Sequence, residues 1–197
     1  MMDLGKHNGY TFKVSNEFKG EYLVPIIDNL KVKYRDFYDD YDEVYHCNQL
    51  VHILKDDPNV NVDYHVMYKY DQCVGLAMVT TGNIDSSKYF DKPVFEQGAN
   101  AIVLNYFHIS PKARGNGNYW LRNVIIPHYQ DKEDLYLKSS HSKAFSLYQR
   151  LGEEIGSYQT LSDNGEFKRT GKIFKIKVNQ YCLLYTSDAA DDRISVD

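Results

Sequence analysis

Little in this sequence of 197 residues points to an oxidising compartment, a membrane or a nucleic acid. Cysteine is scarce: Cys47, Cys73 and Cys182 are an odd number with no metal-ligand or disulfide-framework spacing, so free thiols in a reducing compartment are expected. No apolar run approaches the ~20 residues of a membrane helix. The opening "MMDLGKHNGYTFKV" lacks the hydrophobic stretch of a signal peptide. Basic residues are outnumbered, with a net charge of −4, which gives no support to phosphate-driven binding of DNA or RNA. The seven histidines are scattered without metal-ligand spacing, so no metal is expected. These absences predict a soluble cytoplasmic protein.

What is present is enough apolar sequence for one ordinary domain, together with 18 tyrosines, a composition unlike that of disordered chains. "YTFKVS" reads as a strand. Leu23, Ile26, Ile27, Leu30, Tyr34 and Phe37 recur at helical spacing, and Cys47, Leu50, Val51 and Leu54 repeat the pattern. The acidic run "DDYDE" (39–43) between them reads as a solvated surface near which a cationic amine could be drawn. "DYHVMYKY" and "CVGLAMVTT" predict a hairpin turning at Asp71-Gln72. After the long polar connection 82–100, of a length often tied to function, comes "AIVLNYFHIS", apolar enough for a central strand.

Leu121, Val124 and Ile125 mark a helix that Pro127 should kink or end. "DLYLKSS" is the next strand. Ala144, Leu147, Tyr148 and Leu151 form a helix, with Gly152 expected as its C-terminal cap. "EIGSYQTLS" and "KIFKIKV" close the fold as a hairpin around Asn164-Gly165. Hairpins require antiparallel pairs, whereas strand–helix–strand requires a parallel crossover. The expected class is α/β, a mixed central β-sheet with helices on both faces.

Between strand and helix lies "HISPKARGNGNYWLRN". The first amides of a helix lack backbone partners, the helix dipole favours negative charge there, and glycines allow close approach, so this turn suits a phosphate. Lys112 and Arg114 add positive charge. It is no Walker loop, since G-x-x-x-x-G-K-[ST] is absent. A dinucleotide fingerprint would need glycine at Trp120 and an acid after the next strand; Glu133 and Asp134 precede that strand instead.

"HISPKARGNG", followed by helix, strand and "SKAFSLYQRLG", resembles the acetyl-CoA-binding core of the GNAT N-acetyltransferase superfamily over about 101–158. Two registers of the family's loop stay open. Counted from Pro111, Arg114 is the family arginine; counted back from Leu121, Lys112 takes the basic place. Both keep Gly115 and Gly117 in the cradle. The sequence departs from the family where His141 replaces the usual asparagine and Glu153 follows Gly152 in place of phenylalanine.

The resemblance implies a GNAT-like fold with acetyl-CoA as acyl donor. It places pantetheine along the backbone of Phe107 and Ile109, and the diphosphate on Lys112, Ala113, Arg114, Gly115, Asn116, Gly117 and Asn118. His141 lies beside the cofactor's amide arm. Tyr148 corresponds to the tyrosine that protonates the leaving thiolate; as a residue of the apolar stripe it reads equally as core. No carboxylate projects from "AIVLNYFHIS", so His108 is the candidate base, with a water chain as the alternative. The implied activity is direct N-acetyl transfer to a small-molecule or peptide amine. Its rivals are a non-catalytic acyl-CoA-binding module of the same fold and, more distantly, a Rossmann-like oxidoreductase. Neither the amine nor a homodimer is decided. The ending "CLLYTSDAADDRISVD" resembles translated sequencing-adapter read-through, so residues 1–181 are taken as the domain and 182–197 as a non-native or disordered tail.

Overall fold

The computed structural model describes residues 1–33 and 42–182. One sheet of eight strands organises all of them, in the order β1-β2-β3-β4-β5-β6-β8-β7. Its strands are β1 (Met2–His7), β2 (Tyr10–Ser15), β3 (Val60–Lys69), β4 (Gln72–Gly82), β5 (Ala101–Ile109), β6 (Asp134–Ser139), β7 (Glu153–Leu161) and β8 (Lys168–Lys177). Only β5 and β6 run parallel; every other neighbouring pair is antiparallel. The helices are α1 (Val24–Lys33), α2 (Glu43–Lys55), α3 (Gly117–Trp120), α4 (Ile126–His128), α5 (Ser142–Leu151) and α6 (Asn179–Cys182). None of the described helices is long and apolar enough to cross a membrane.

Strand β1 is an addition to the expected order. It pairs with β2 through a tight turn in which Asn8 (φ +49°) and Gly9 (φ +78°) both take left-handed backbone, the requirement of a type I′ hairpin. The Asn-Gly dipeptide carried that signal. Because β1 is largely exposed, its composition did not.

α3, a π-helical turn at Leu121–Ile125 and α4 form one continuous helix. The π turn lies just before Pro127, whose missing N–H the altered ladder accommodates, and the helix ends one residue later, at His128. Its inner face, with Trp120, Leu121 and Ile125 fully buried, packs with α5 on one face of the sheet. Each such aliphatic side chain removed from water contributes about 1.5–3 kcal/mol. Helices α1 and α2 cover the other face through Ile26, Cys47, Val51 and Leu54. The 83–100 connection folds over a smaller cluster of Ile84, Phe90, Val103 and Tyr136, tied by the Ser86 hydroxyl donating to Phe95 O at 2.7 Å.

Gly152 is the C-cap of α5, as expected, donating its N–H to Tyr148 O. Its φ of −164° is extended backbone. Glycine is required there for space: a Cβ would stand 2.2 Å from the Lys175 carbonyl oxygen, where β7 begins beside β8. Tyr34, Phe37 and Asp39–Tyr41 of the expected helix and acidic run lie outside the described residues, as does 183–197.

Candidate active site

Two events in β5 create the site. Asn105 has no partner in β4, where Leu104 pairs with Val79 and Tyr106 with Met78. This bulge reverses the alternation of the strand. Before it, Ile102 and Leu104 face α3 and α5; after it, Phe107 and Ile109 do, while Tyr106 and His108 turn to the α1–α2 face. The Asn105 amide is fixed by donating to Thr80 Oγ1. At the same level β6 leaves β5, their last pair being Leu104 with Leu137. Beyond it the two parallel strands open into a V.

The β5 edge of this V carries free main-chain groups. Ser110 donates its N–H to Val74 O at 2.8 Å, toward β4. With a period of two, His108 and Tyr106 turn their peptide groups the same way, whereas Phe107 and Ile109 turn theirs into the opening. Two of the expected contact residues are therefore presented at the open edge.

The strand ends in a compact loop. Ser110 is fully buried; its carbonyl accepts from Ala113 N–H at 2.8 Å, and its hydroxyl from Lys112 N–H at 3.3 Å. Ala113 is buried beneath, and Asn116 closes the turn by donating its side-chain amide to Ala113 O at 2.8 Å. Gly115 has φ +92°, a left-handed conformation that side chains resist. Gly117 lies close to β5, where a Cβ would meet Ile109 Cδ1 at 3.2 Å. The N–H groups of Arg114, Gly115, Gly117 and Asn118 donate to no described residue, so four amides are free at the start of a helix.

The two cations differ. Lys112 Nζ is engaged by Asp28 of α1 at 2.7 Å, so its charge is partly neutralised, against expectation. Arg114 is exposed and makes no ion pair with a described residue. His141 occupies the cap position of α5 with its side chain exposed; its main chain accepts from Ala144 N–H at 2.9 Å, but its imidazole caps nothing. Tyr148 lies on the inner face of α5, its ring 5.5 Å from that of Phe174, and burial raises its hydroxyl above the ordinary tyrosine value.

His108 is nearly buried, and both ring nitrogens face oxygens: Nδ1 lies 2.6 Å from Glu43 Oε1 and Nε2 3.2 Å from Pro25 O. Both ring nitrogens are thus engaged. Glu43 also accepts from the Tyr106 hydroxyl at 2.9 Å and, weakly, from Asn29 at 3.5 Å. Glu43, the last residue of the acidic run, is thus a partly buried tie between both early helices and β5, whereas Asp42 before it is exposed. Asp42 caps α2 through Tyr45 N–H at 3.0 Å. An aspartate before an apolar helical stripe is a cap signal, and it puts Glu43 in the first turn; that Glu43 turns inward is set by β5.

The β7–β8 loop adds a strap. Asp163 accepts from Asp42 N–H at 2.7 Å and meets His46 Nε2 at 3.0 Å, which joins the far arm of the sheet to the start of α2. A cleft of about 200 Å³ opens at the vertex of the V, beside Leu104 and Asn105. Leu50 and Ile53 of α2, Tyr89 and Phe90 of the 83–100 connection, Asn105 and Lys138 line it, with the Asp57–Lys88 ion pair at one end.

No family model matches this sequence, and no curated protein matches it. Solved structures do. A protein assigned to the GNAT family of acetyltransferases from Desulfovibrio desulfuricans superposes with a TM-score of 0.56 at 13% identity, over 86% of this chain and 99% of the other. Spermidine N-acetyltransferase from Vibrio cholerae, solved with CoA and spermine, gives 0.54 at 15% identity, over 86% and 97%. The ribosomal-protein-S18-alanine N-acetyltransferase of Escherichia coli gives 0.50 at 12% identity, over 85% and 94%. At these identities it is architecture that is shared: the mixed sheet with helices on both faces is the fold of the GNAT acyltransferases.

Proposed function

We propose that the protein transfers an acetyl group from acetyl-CoA directly to a primary amine. One observation carries this reading: the V between β5 and β6, edged by the peptide groups of Phe107 and Ile109, runs into a loop whose amides at Arg114, Gly115, Gly117 and Asn118 donate to no described residue. An extended amide-bearing arm fits the edge as a further strand, and a diphosphate fits the loop. Acetyl-CoA supplies the activated thioester.

The amine arrives as an ammonium, with a pKa of roughly 10, and must lose a proton before attack. Its nitrogen then bonds to the acyl carbon as the C–S bond breaks; the nitrogen sheds a second proton and the sulfur takes one up, giving amide and thiol. Tyr148, kept protonated by its burial, is the donor that meets the sulfur. His108 enters this reading as a positioning residue, since its nitrogens are held by Glu43 and Pro25. The ammonium's proton leaves through the cleft to solvent. The same engagement of His108 favours the rival reading, an acyl-CoA-binding module without catalysis.

Titration calorimetry with CoA and acetyl-CoA, followed by thiol release over a panel of amines, tests both. Binding with release supports the enzyme and binding without release the module. No heat with any CoA species refutes the shared reading.

A further inference from the structure

The wall of the cleft identifies the class of amine. Glu43, His46, Leu50, Ile53 and Asp57 succeed one another at three- and four-residue steps, so they form one stripe along α2 and its end, facing the V. Glu43 and Asp57 on that stripe, and Asp163 on the strap, each already have a basic neighbour, while Glu166 of the strap lies outside the cleft lining. Glu43 lies 2.6 Å from His108, Asp163 3.0 Å from His46, and Asp57 accepts from Lys88 at 2.5 Å. Lys138 at the vertex adds another positive charge, with Asp91 only at 4.0 Å. Among the described residues that line the cleft, a second or third ammonium would have to break the Asp57–Lys88 ion pair or sit beside Lys138.

The middle of the stripe is apolar. Ile53 is 63% exposed although it borders the cleft, and Leu50, Tyr89 and Phe90 stand around it. Exposed aliphatic surface near the half-buried Tyr89 gains from an apolar occupant, at about 25 cal/mol per Å² covered. About 200 Å³ accommodates a body the size of one aromatic ring with a short arm.

Resting on the acetyl-transfer reading, we infer that the acceptor is a singly charged primary amine on an apolar, ring-sized body, seated between Ile53 and the Tyr89–Phe90 turn, and not a polyamine. This separates the chain from the spermidine acetyltransferases that share its fold.

The test compares phenethylamine and leucinamide with spermidine and spermine, by thiol release at saturating acetyl-CoA, once calorimetry has established CoA binding. The apolar amines should exceed the polyamines at least about tenfold in kcat/KM. I53D should lower kcat/KM for phenethylamine about tenfold, through KM, with CoA affinity unchanged. Spermidine turned over as well as phenethylamine, I53D without effect on KM, or CoA binding with no release from either apolar amine would each overturn the inference while the cofactor reading stands. Absence of CoA binding would instead overturn that reading, and the inference with it.

Discussion

Lowering the pH should destabilise this protein through one residue far from the site. His65 of β3 is completely buried. The Tyr129 hydroxyl donates to Asp63 at 2.9 Å, so its oxygen accepts from His65 Nε2–H at 2.8 Å. Nδ1 is left buried without a partner among the described residues, and the His128 ring lies 5.3 Å away. A proton on Nδ1 would place an unpaired charge in the interior. Desolvation first, and His128 second, push the His65 pKa from 6.5 to about 3. The unfolded chain therefore takes up this proton below 6.5 while the folded chain does not. Stability is complete above 6.5 and is lost as pH falls toward 3, at ~1.4 kcal/mol per pH unit. Between pH 6.5 and 5 that amounts to about 2 kcal/mol. H65Q keeps a donor for Tyr129 but cannot titrate. Urea unfolding at pH 7, 6, 5.5 and 5 should show the wild type losing about 2 kcal/mol more than H65Q, since the carboxylates common to both cancel. Parallel pH profiles would refute the argument.

Three further outcomes are expected. Y148F should lower kcat by about 100-fold or more, the scale of a lost proton donor, with CoA affinity by calorimetry within about twofold; an unchanged rate would confine Tyr148 to the core. G152A should destabilise by about 1–3 kcal/mol in urea unfolding, because its Cβ cannot stand 2.2 Å from the Lys175 oxygen without displacing β8. Cys47 and Cys73, buried and with thiols pushed up to about 12 chiefly by desolvation, should react with iodoacetamide at pH 8 far more slowly in the native than in the unfolded chain, read peptide by peptide.

Much of this molecule was determined by local sequence. The periodicity of 144–151, the Tyr10–Ser15 strand and the apolar run of β5 each specify their element, because a helix or strand buries one face at a spacing that the residues themselves display. The glycine turn after β5 was equally legible, since the need for left-handed backbone at Gly115 and for free amides before a helix is met within a few residues. Tertiary structure decided the rest. Gly152 has the spacing of a cap, yet its role comes from Lys175, which is 23 residues away. Lys112 carries a charge in the sequence and a partner, Asp28, only in the fold. The unpaired Asn105 reverses which face Tyr106 and His108 present, and that brings Glu43 onto His108 from 65 residues away. Charges and clefts depend on which distant groups meet, and no periodicity along the chain encodes that meeting.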